Sequence, residues 1–171
     1  MNVLKRFDIK NFSIFSHKEK LICFLLASLI FFFDRITKIK IIDHQTDNGS
    51  LYINDFINFE LVWNTGIGFG LLSSNSTIVY NSITTLIGII SIIILYMIIK
   101  SDYFEKFFYS VILGGALGNL YDRIVYFAVP DFIDIHYQRF HWFTFNIADI
   151  FITIGIVLLI IKELTLANEK N

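Results

Sequence analysis

The sequence IVYNSITTLIGIISIIILYMII, residues 78–99, carries no charged side chain and is rich in isoleucine. A helix needs about 20 mostly apolar residues to cross the hydrocarbon core of a bilayer. The stretch is long enough and apolar enough for this, so it predicts a transmembrane helix.

Three further stretches approach the same length and composition: residues 21–42, 107–129 and 145–164. The chain of 171 residues is 55% hydrophobic and 17% charged, with a mean hydropathy of +0.62, and is more apolar than an average soluble domain. We therefore expect an all-α membrane protein with four transmembrane helices, forming a single integral membrane domain over residues 1–171.

The basic residues indicate how these helices are oriented. They lie mainly in the N-terminal tail, in the loop after residue 99 and at the C-terminal end, whereas residues 41–77 contain no lysine or arginine. Because cytoplasmic loops of membrane proteins are enriched in lysine and arginine, both termini are expected in the cytoplasm. Residues 43–77 then form an extracytoplasmic segment.

This outer segment contains a pattern typical of a β-strand. In NFELVWN, residues 58–64, the apolar residues Phe59, Leu61 and Trp63 alternate with mostly polar neighbours. We expect a small extracytoplasmic β-sheet between helices 1 and 2. Its aromatic residues suit a membrane surface, although an ordinary hairpin in water fits the pattern equally well.

Composition argues against several function classes. The formal net charge of −1 provides no basic surface for nucleic acid. Cys23 is the only cysteine, and His136 and His141 have a spacing that standard zinc pairs do not favour. We therefore expect no nucleic acid, no metal and no cofactor.

Acidic residues near the ends of the spans require an explanation, because a carboxylate at membrane depth is costly. Pro130, the only proline, is expected to mark the end of helix 3, with Asp131 just beyond it. Helix 4 is expected to begin at about Asn146, with Asp149 one turn further on the same face. Asp131 and Asp149 would then approach the same level, although a solvated loop and a helix cap explain them separately.

Two other polar groups also fall inside predicted helices. Asp34 and Lys38 are four residues apart and are expected to form an ion pair on helix 1. On helix 3, small residues at positions 114, 115, 116 and 118 precede Asn119 and Arg123, so a neighbouring helix is expected to approach closely there.

Four segments resemble the signature blocks of the lipoprotein signal peptidases, or signal peptidase II, and they occur in the order found in that family. They are DRITK at residues 34–38, NTGIGFG at 64–70, GGALGNLYDR at 114–123 leading to DFID at 131–134, and FNIAD at 145–149. The resemblance implies an aspartic endopeptidase of the bacterial inner membrane with its active site near the extracytoplasmic surface. Its implied substrate is a diacylglyceryl-modified prolipoprotein, whose signal peptide is cut off just before the modified cysteine, and its other partners are membrane lipids.

Carried over by position, the resemblance implies that Asp131 and Asp149 are catalytic and that Asp134 is a neighbour without that role. The implied substrate-binding residues are Asn64, Gly66, Asn119, Arg123 and Asn146, and the implied structural residues are Asp34 and Lys38.

The chain departs from the family at three positions: the family usually has glycine in place of Phe127, a small aliphatic residue in place of Pro130 and alanine in place of Gly68. The first two lead us to expect a local difference in the turn into Asp131, and the third is a small change. Two alternative functions from the residues alone are a small transporter or channel that uses Asp and Arg as an ion relay, and a purely structural membrane protein. A presenilin-type protease is disfavoured because its Gly-x-Gly-Asp pattern is absent.

Overall fold

The computed structural model describes residues 17–66 and 77–168. The four helices are α1 (His17–Asn48), α2 (Thr77–Lys100), α3 (Tyr103–Val125) and α4 (Ile147–Asn168). The four strands are β1 (Leu51–Asn54), β2 (Ile57–Asn64), β3 (Val129–Tyr137) and β4 (Phe140–Phe145). Two features used in the sequence analysis lie outside the described residues. They are the basic residues Lys5, Arg6 and Lys10 of the N-terminal tail, and residues 67–70 of the second signature block.

The helix α3 is the centre of the bundle, since it packs against α1, α2 and α4. A Cβ atom added at Gly114 would lie 2.7 Å from the carbonyl oxygen of Ala27 on α1, and one at Gly115 would lie 2.6 Å from that of Ala148 on α4. The glycines therefore allow two helix backbones to touch α3, as the sequence predicted.

By length and apolar composition, two of the described helices are able to cross a membrane: residues Thr77–Lys100 and Ile147–Ala167. The helices α1 and α3 are also long, with 32 and 23 residues, but they carry charged side chains within their apolar stretches. Asp34, Lys38 and Asp122 are completely buried, so these charges face the protein interior.

The four strands form one antiparallel sheet in the order β1-β2-β3-β4. The predicted strand at residues 58–64 is confirmed as β2. The expectation that the whole sheet lies between helices 1 and 2 is wrong, because β3 and β4 come from the connection between α3 and α4 and supply half of its strands.

The predicted end of helix 3 is also wrong. The helix ends at Val125, and Pro130 lies inside β3, where it pairs with Trp63 of β2. Between them, Phe127 adopts a φ of 57°, a left-handed conformation that reverses the chain and turns it into the sheet. Asp131 lies in this strand, opposite Val62 of β2, so the residue is part of the sheet and not of a loop.

Candidate active site

Asp131 and Asp149 line the same cavity of about 520 Å³. Asp131 comes from β3, and Asp149 from the first turn of α4. The polar end of the cavity is completed by three more of the predicted site residues, Asn64, Asn119 and Arg123. The rest of its wall is mostly apolar, with side chains from α2, α3 and α4 that include Ile90, Ile94, Ile112, Ile152 and Ile156.

Asp131 is 2% exposed and accepts a hydrogen bond on each carboxyl oxygen. Asn64 donates from Nδ2 to Oδ2 at 2.8 Å, and Asn146 donates from Nδ2 to Oδ1 at 2.5 Å. Burial, followed by the nearby charge of Asp149, raises the pKa of Asp131 to about 7, although both hydrogen bonds act in the opposite direction. Asp131 can therefore hold or release a proton near neutral pH.

Asp149 is part of the N-terminal cap of α4. Its backbone amide donates to Oδ1 of Asn146 at 3.1 Å, while the backbone amide of Asn146 donates to Oδ2 of Asp149 at 3.2 Å. This reciprocal pair is a capping box, in which two backbone donors without helical partners are satisfied. The helix-cap interpretation of Asn146 and Asp149 is thus correct, and it does not exclude a second role, because Oδ1 of Asp149 also accepts a hydrogen bond from Asn119.

The three asparagines of the site share one arrangement. Each amide oxygen accepts from a donor that cannot become an acceptor: the backbone amide of Gly66 for Asn64, Lys38 Nζ for Asn119, and the backbone amide of Asp149 for Asn146. Each NH₂ group is consequently turned towards a carboxyl group, Asp131 for two of them and Asp149 for the third. The orientation of all three amides is therefore set by their hydrogen bonds.

Arg123 is buried beside the pair. Its Nη2 donates to the carbonyl oxygen of Gly66, and its guanidinium carbon lies 5.5 Å from the ring centre of Tyr80. Tyr80 also donates from its hydroxyl to the carbonyl oxygen of Arg123 at 2.7 Å. No described residue accepts a hydrogen bond from Nε or Nη1 of Arg123, so two donors remain available beside the cavity.

Tyr80 is a contact that the sequence analysis missed. Tyrosine near the end of a transmembrane stretch is usually explained by the membrane surface, so its position gave no separate signal. Its partner lies on another helix, which only the packing of α2 on α3 reveals.

A cluster of charged side chains lies behind the site, between α1 and α3. Lys38 Nζ contacts Asp34 Oδ2 at 2.8 Å and Asp122 Oδ2 at 2.7 Å, and Arg35 pairs with the other oxygen of Asp122. Asp34 also accepts the backbone amide of Ala148 at 2.9 Å, next to Asp149. The predicted pair of Asp34 and Lys38 is therefore present, as one part of a cluster that joins α1, α3 and α4.

Asp134 does not line the cavity, and its Oδ2 lies 2.7 Å from Nδ1 of His141. The rings of His136 and His141 stack across the hairpin with centres 5.3 Å apart.

Within residues 17–66 and 77–168, no group of three or more His, Cys, Asp or Glu side chains is arranged to hold a metal ion.

The geometry and the comparisons with solved structures define a membrane enzyme. The chain matches a bacterial membrane enzyme solved in meso, with a TM-score of 0.72 and 33% identity over 88% of this chain and 92% of that one. A second bacterial membrane enzyme matches with a TM-score of 0.66 and 32% identity over 84% and 92% of the two chains.

The sequence comparisons identify the family. The family model described as signal peptidase (SPase) II matches residues 26–165. The lipoprotein signal peptidase of Pelagibacter ubique (strain HTCC1062) is 51% identical over 149 residues, which is 86% of this chain and 90% of that protein. That of Francisella tularensis subsp. mediasiatica (strain FSC147) is 42% identical over 154 residues, which is 86% and 94% of the two chains. The chain belongs to the signal peptidase II family.

Proposed function

We propose that this protein removes the signal peptides of prolipoproteins and that it does so as an aspartic endopeptidase with Asp131 and Asp149 as its catalytic pair. The activity follows from membership of the signal peptidase II family. The assignment of the pair is carried by one observation: the two carboxyl groups come from different elements and line one cavity. The cut is placed before a cysteine that carries diacylglyceryl.

The mechanism requires only a shared proton and a water molecule. Two neighbouring buried carboxyl groups do not both ionise readily, so the pair holds one proton near neutral pH. The charged carboxylate removes a proton from the attacking water, while the protonated carboxyl polarises the scissile carbonyl and then protonates the leaving amine. The bonds made and broken involve no covalent enzyme intermediate and no metal.

In this proposal Arg123 binds the substrate, and the other implied substrate-binding residues hold Arg123 and the catalytic pair in position. Arg123 offers Nε and Nη1 to a substrate carbonyl, because neither atom is used by a described residue. Asn64, Asn119 and Asn146 hold the carboxyl groups in place, and Gly66 anchors both Asn64 and Arg123 through its backbone. Asp34 and Lys38 have a structural role that links three helices.

The apolar part of the cavity suits the lipid on the substrate. Isoleucines of α2, α3 and α4 line it next to the polar end, so an acyl chain and a peptide carbonyl can be bound side by side. A substrate anchored in the same leaflet diffuses in two dimensions and presents its cysteine at a fixed depth. We infer that substrate enters laterally from the membrane, where lipids contact the outer faces of the helices.

The topology we propose has four transmembrane helices in a single domain, with both termini cytoplasmic and the cavity near the extracytoplasmic surface of the inner membrane. For α1 this is supported by two observations: its charges at Asp34 and Lys38 are fully buried, and its outward side chains Phe24, Leu29 and Phe32 are large, apolar and exposed. An apolar surface of this kind is stable in contact with lipid, whereas its exposure to water is energetically unfavourable.

The test is cleavage of a purified diacylglyceryl-modified prolipoprotein by wild type, Asp131→Asn and Asp149→Asn. Asp134→Asn is the matched control, because it is the same substitution on the same strand at a carboxyl group outside the cavity. We expect loss of cleavage in the first two variants and retention in the control, with all of them folded in detergent. Normal cleavage by both cavity variants would exclude Asp131 and Asp149 as the catalytic pair. A wild-type protein that is folded but does not cleave would favour the alternative function, an ion relay.

A further inference from the structure

Lys38 is a buried lysine whose hydrogen-bonding capacity is fully used. Its side chain is 0% exposed, and Nζ donates to Asp34 at 2.8 Å, to Asn119 at 2.9 Å and to Asp122 at 2.7 Å. An ammonium group has three donors and no acceptor. All three N–H bonds are therefore directed to protein oxygens, and the group is held in one orientation.

This arrangement determines which way the Asn119 amide faces. With Oδ1 of Asn119 held by Lys38, Nδ2 points to Asp149 and donates to its Oδ1 at 2.8 Å. The reversed amide would place NH₂ against the ammonium group and its oxygen against a carboxylate, so both contacts would become repulsive. We propose that Lys38 is a positioning residue of the active site, which acts through Asn119 to keep a hydrogen-bond donor on Asp149.

The inference rests on the proposed function and goes beyond the structural role of Lys38. A donor stabilises an ionised carboxyl group, whereas an acceptor stabilises a protonated one. Without Lys38, the Asn119 amide is free to turn and accept a hydrogen bond from a protonated Asp149. The distribution of the shared proton in the pair then changes, although neither aspartate has been altered.

Several other charges surround this contact and contribute to the same proton equilibrium. They are Asp34 and Arg35 on α1, Asp122 and Arg123 on α3, and Asp131 on β3. Among the cations of the described residues, Lys38 differs because it is the one that donates a hydrogen bond to Asn119. A double-mutant cycle between Lys38 and Asn119 therefore isolates the proposed effect from the general field of the cluster.

The experiment measures kcat, KM and their pH dependence for wild type, Lys38→Met, Asn119→Ala and the double variant on a diacylglyceryl-modified prolipoprotein. We expect Lys38→Met to lower kcat by about tenfold or more, with a smaller effect on KM, and to move the acidic limb of the pH–kcat profile to higher pH. In the Asn119→Ala background, Lys38→Met is expected to lower kcat by a clearly smaller factor, because only the field of the Lys38 charge is then lost. Equal effects in the two backgrounds, or an unchanged pH profile, would overturn the proposal.

Two further variants separate positioning from folding. Lys106→Met removes another buried lysine, one paired with Glu19 at 2.7 Å and about 20 Å from Asn119 along α3, and it should lower stability without moving the pH profile. The double variant Lys38→Met with Asp34→Asn removes one positive and one negative buried charge and so restores their balance. The amide oxygen introduced by Asp34→Asn can still accept a hydrogen bond from the backbone amide of Ala148. If Lys38→Met alone fails to fold, this combination decides the question, and a wild-type pH profile in it refutes the inference. Inactive wild type would instead refute the proposed function.

Discussion

Asn146 donates a hydrogen bond to Asp131 at 2.5 Å, while its amide oxygen caps α4 by accepting from the backbone of Asp149. One side chain therefore fixes the start of a helix and contacts both predicted catalytic residues. These two roles can be separated, because serine caps a helix about as well as asparagine but is too short to replace the amide donor.

We expect Asn146→Ser to keep the helix cap, to lose about 1–3 kcal/mol of stability with the buried bond to Asp131, and to lower kcat by about 10- to 100-fold. Asn146→Ala should show the same loss of activity and lose about 1 kcal/mol more of stability, because the cap is removed as well. Thermal unfolding and cleavage assays on the two variants check this. Full activity of Asn146→Ser would show that the Asp131 contact is dispensable.

Local signals were sufficient to predict the cap but not the strand that carries Asp131. An asparagine followed three residues later by an acid, before an apolar run, predicts a helix start, and α4 begins at Ile147. The end of α3 was misplaced because Pro130 was interpreted as a helix breaker, although proline is also found at strand starts and edges. The alternation of Ile133 and Ile135 with polar residues was the available strand signal.

The contacts of the charged cluster could be predicted only in part from the sequence. The spacing of Asp34 and Lys38 predicts a pair within one helix, since residues four apart share a face. That Lys38 also holds Asn119 and Asp122, more than 80 residues away, depends on how closely α1 and α3 approach. Gly118 makes that approach possible, because a Cβ atom there would lie 2.6 Å from Asp34 Oδ2. Sequence periodicity does not encode such a distance.

The raised pKa of Asp131 predicts a pH-dependent gain in stability on substitution. The pKa of Asp131 rises from 3.8 to about 7 on folding, so the folded state is stabilised when Asp131 is protonated. This contribution to the free energy of unfolding is fully present below about pH 4 and is lost as pH rises through about 7. Asp131→Asn is neutral at every pH. We expect the melting temperature of Asp131→Asn to rise relative to that of wild type between about pH 4 and about pH 8, by a change worth up to roughly 4 kcal/mol. This change is added to a pH-independent loss, because one of the donors Asn64 and Asn146 then faces an NH₂ group. Melting curves across this range measure it, and a difference independent of pH would contradict the assignment.

Phe127 is a strained residue at the turn between α3 and β3. Its φ of 57° lies in the left-handed region, and its side chain is 69% exposed, so little packing compensates for the strain. A glycine at this position would adopt such a φ without a steric penalty. We expect Phe127→Gly to raise stability by up to about 1 kcal/mol with unchanged cleavage, and Phe127→Val to lower it.

The hairpin turn between β3 and β4 offers a comparison for this substitution. Gln138 has a φ of 54° and is also exposed, so Gln138→Gly should give a gain of the same sign. Thermal unfolding of both glycine variants tests the explanation. A loss of stability at Phe127 together with a gain at Gln138 would show that the Phe127 ring makes a stabilising contact with its surroundings.

Substitutions at Arg123 and Tyr80 distinguish the charge of the guanidinium group from its planar geometry as the property that binds the substrate. Arg123→Lys keeps the positive charge but loses the planar group that reaches Gly66 and the cavity at once, so we expect kcat/KM to fall by about tenfold or more. Tyr80→Phe keeps the ring beside the guanidinium group and removes only the hydroxyl bond to the Arg123 backbone, so its loss should be smaller. Tyr80→Leu removes both contacts, and its loss of kcat/KM should be larger than that of Tyr80→Phe and smaller than that of Arg123→Lys. Steady-state cleavage by the three variants gives the order, and wild-type activity of Arg123→Lys would mean that a point charge is sufficient at this position.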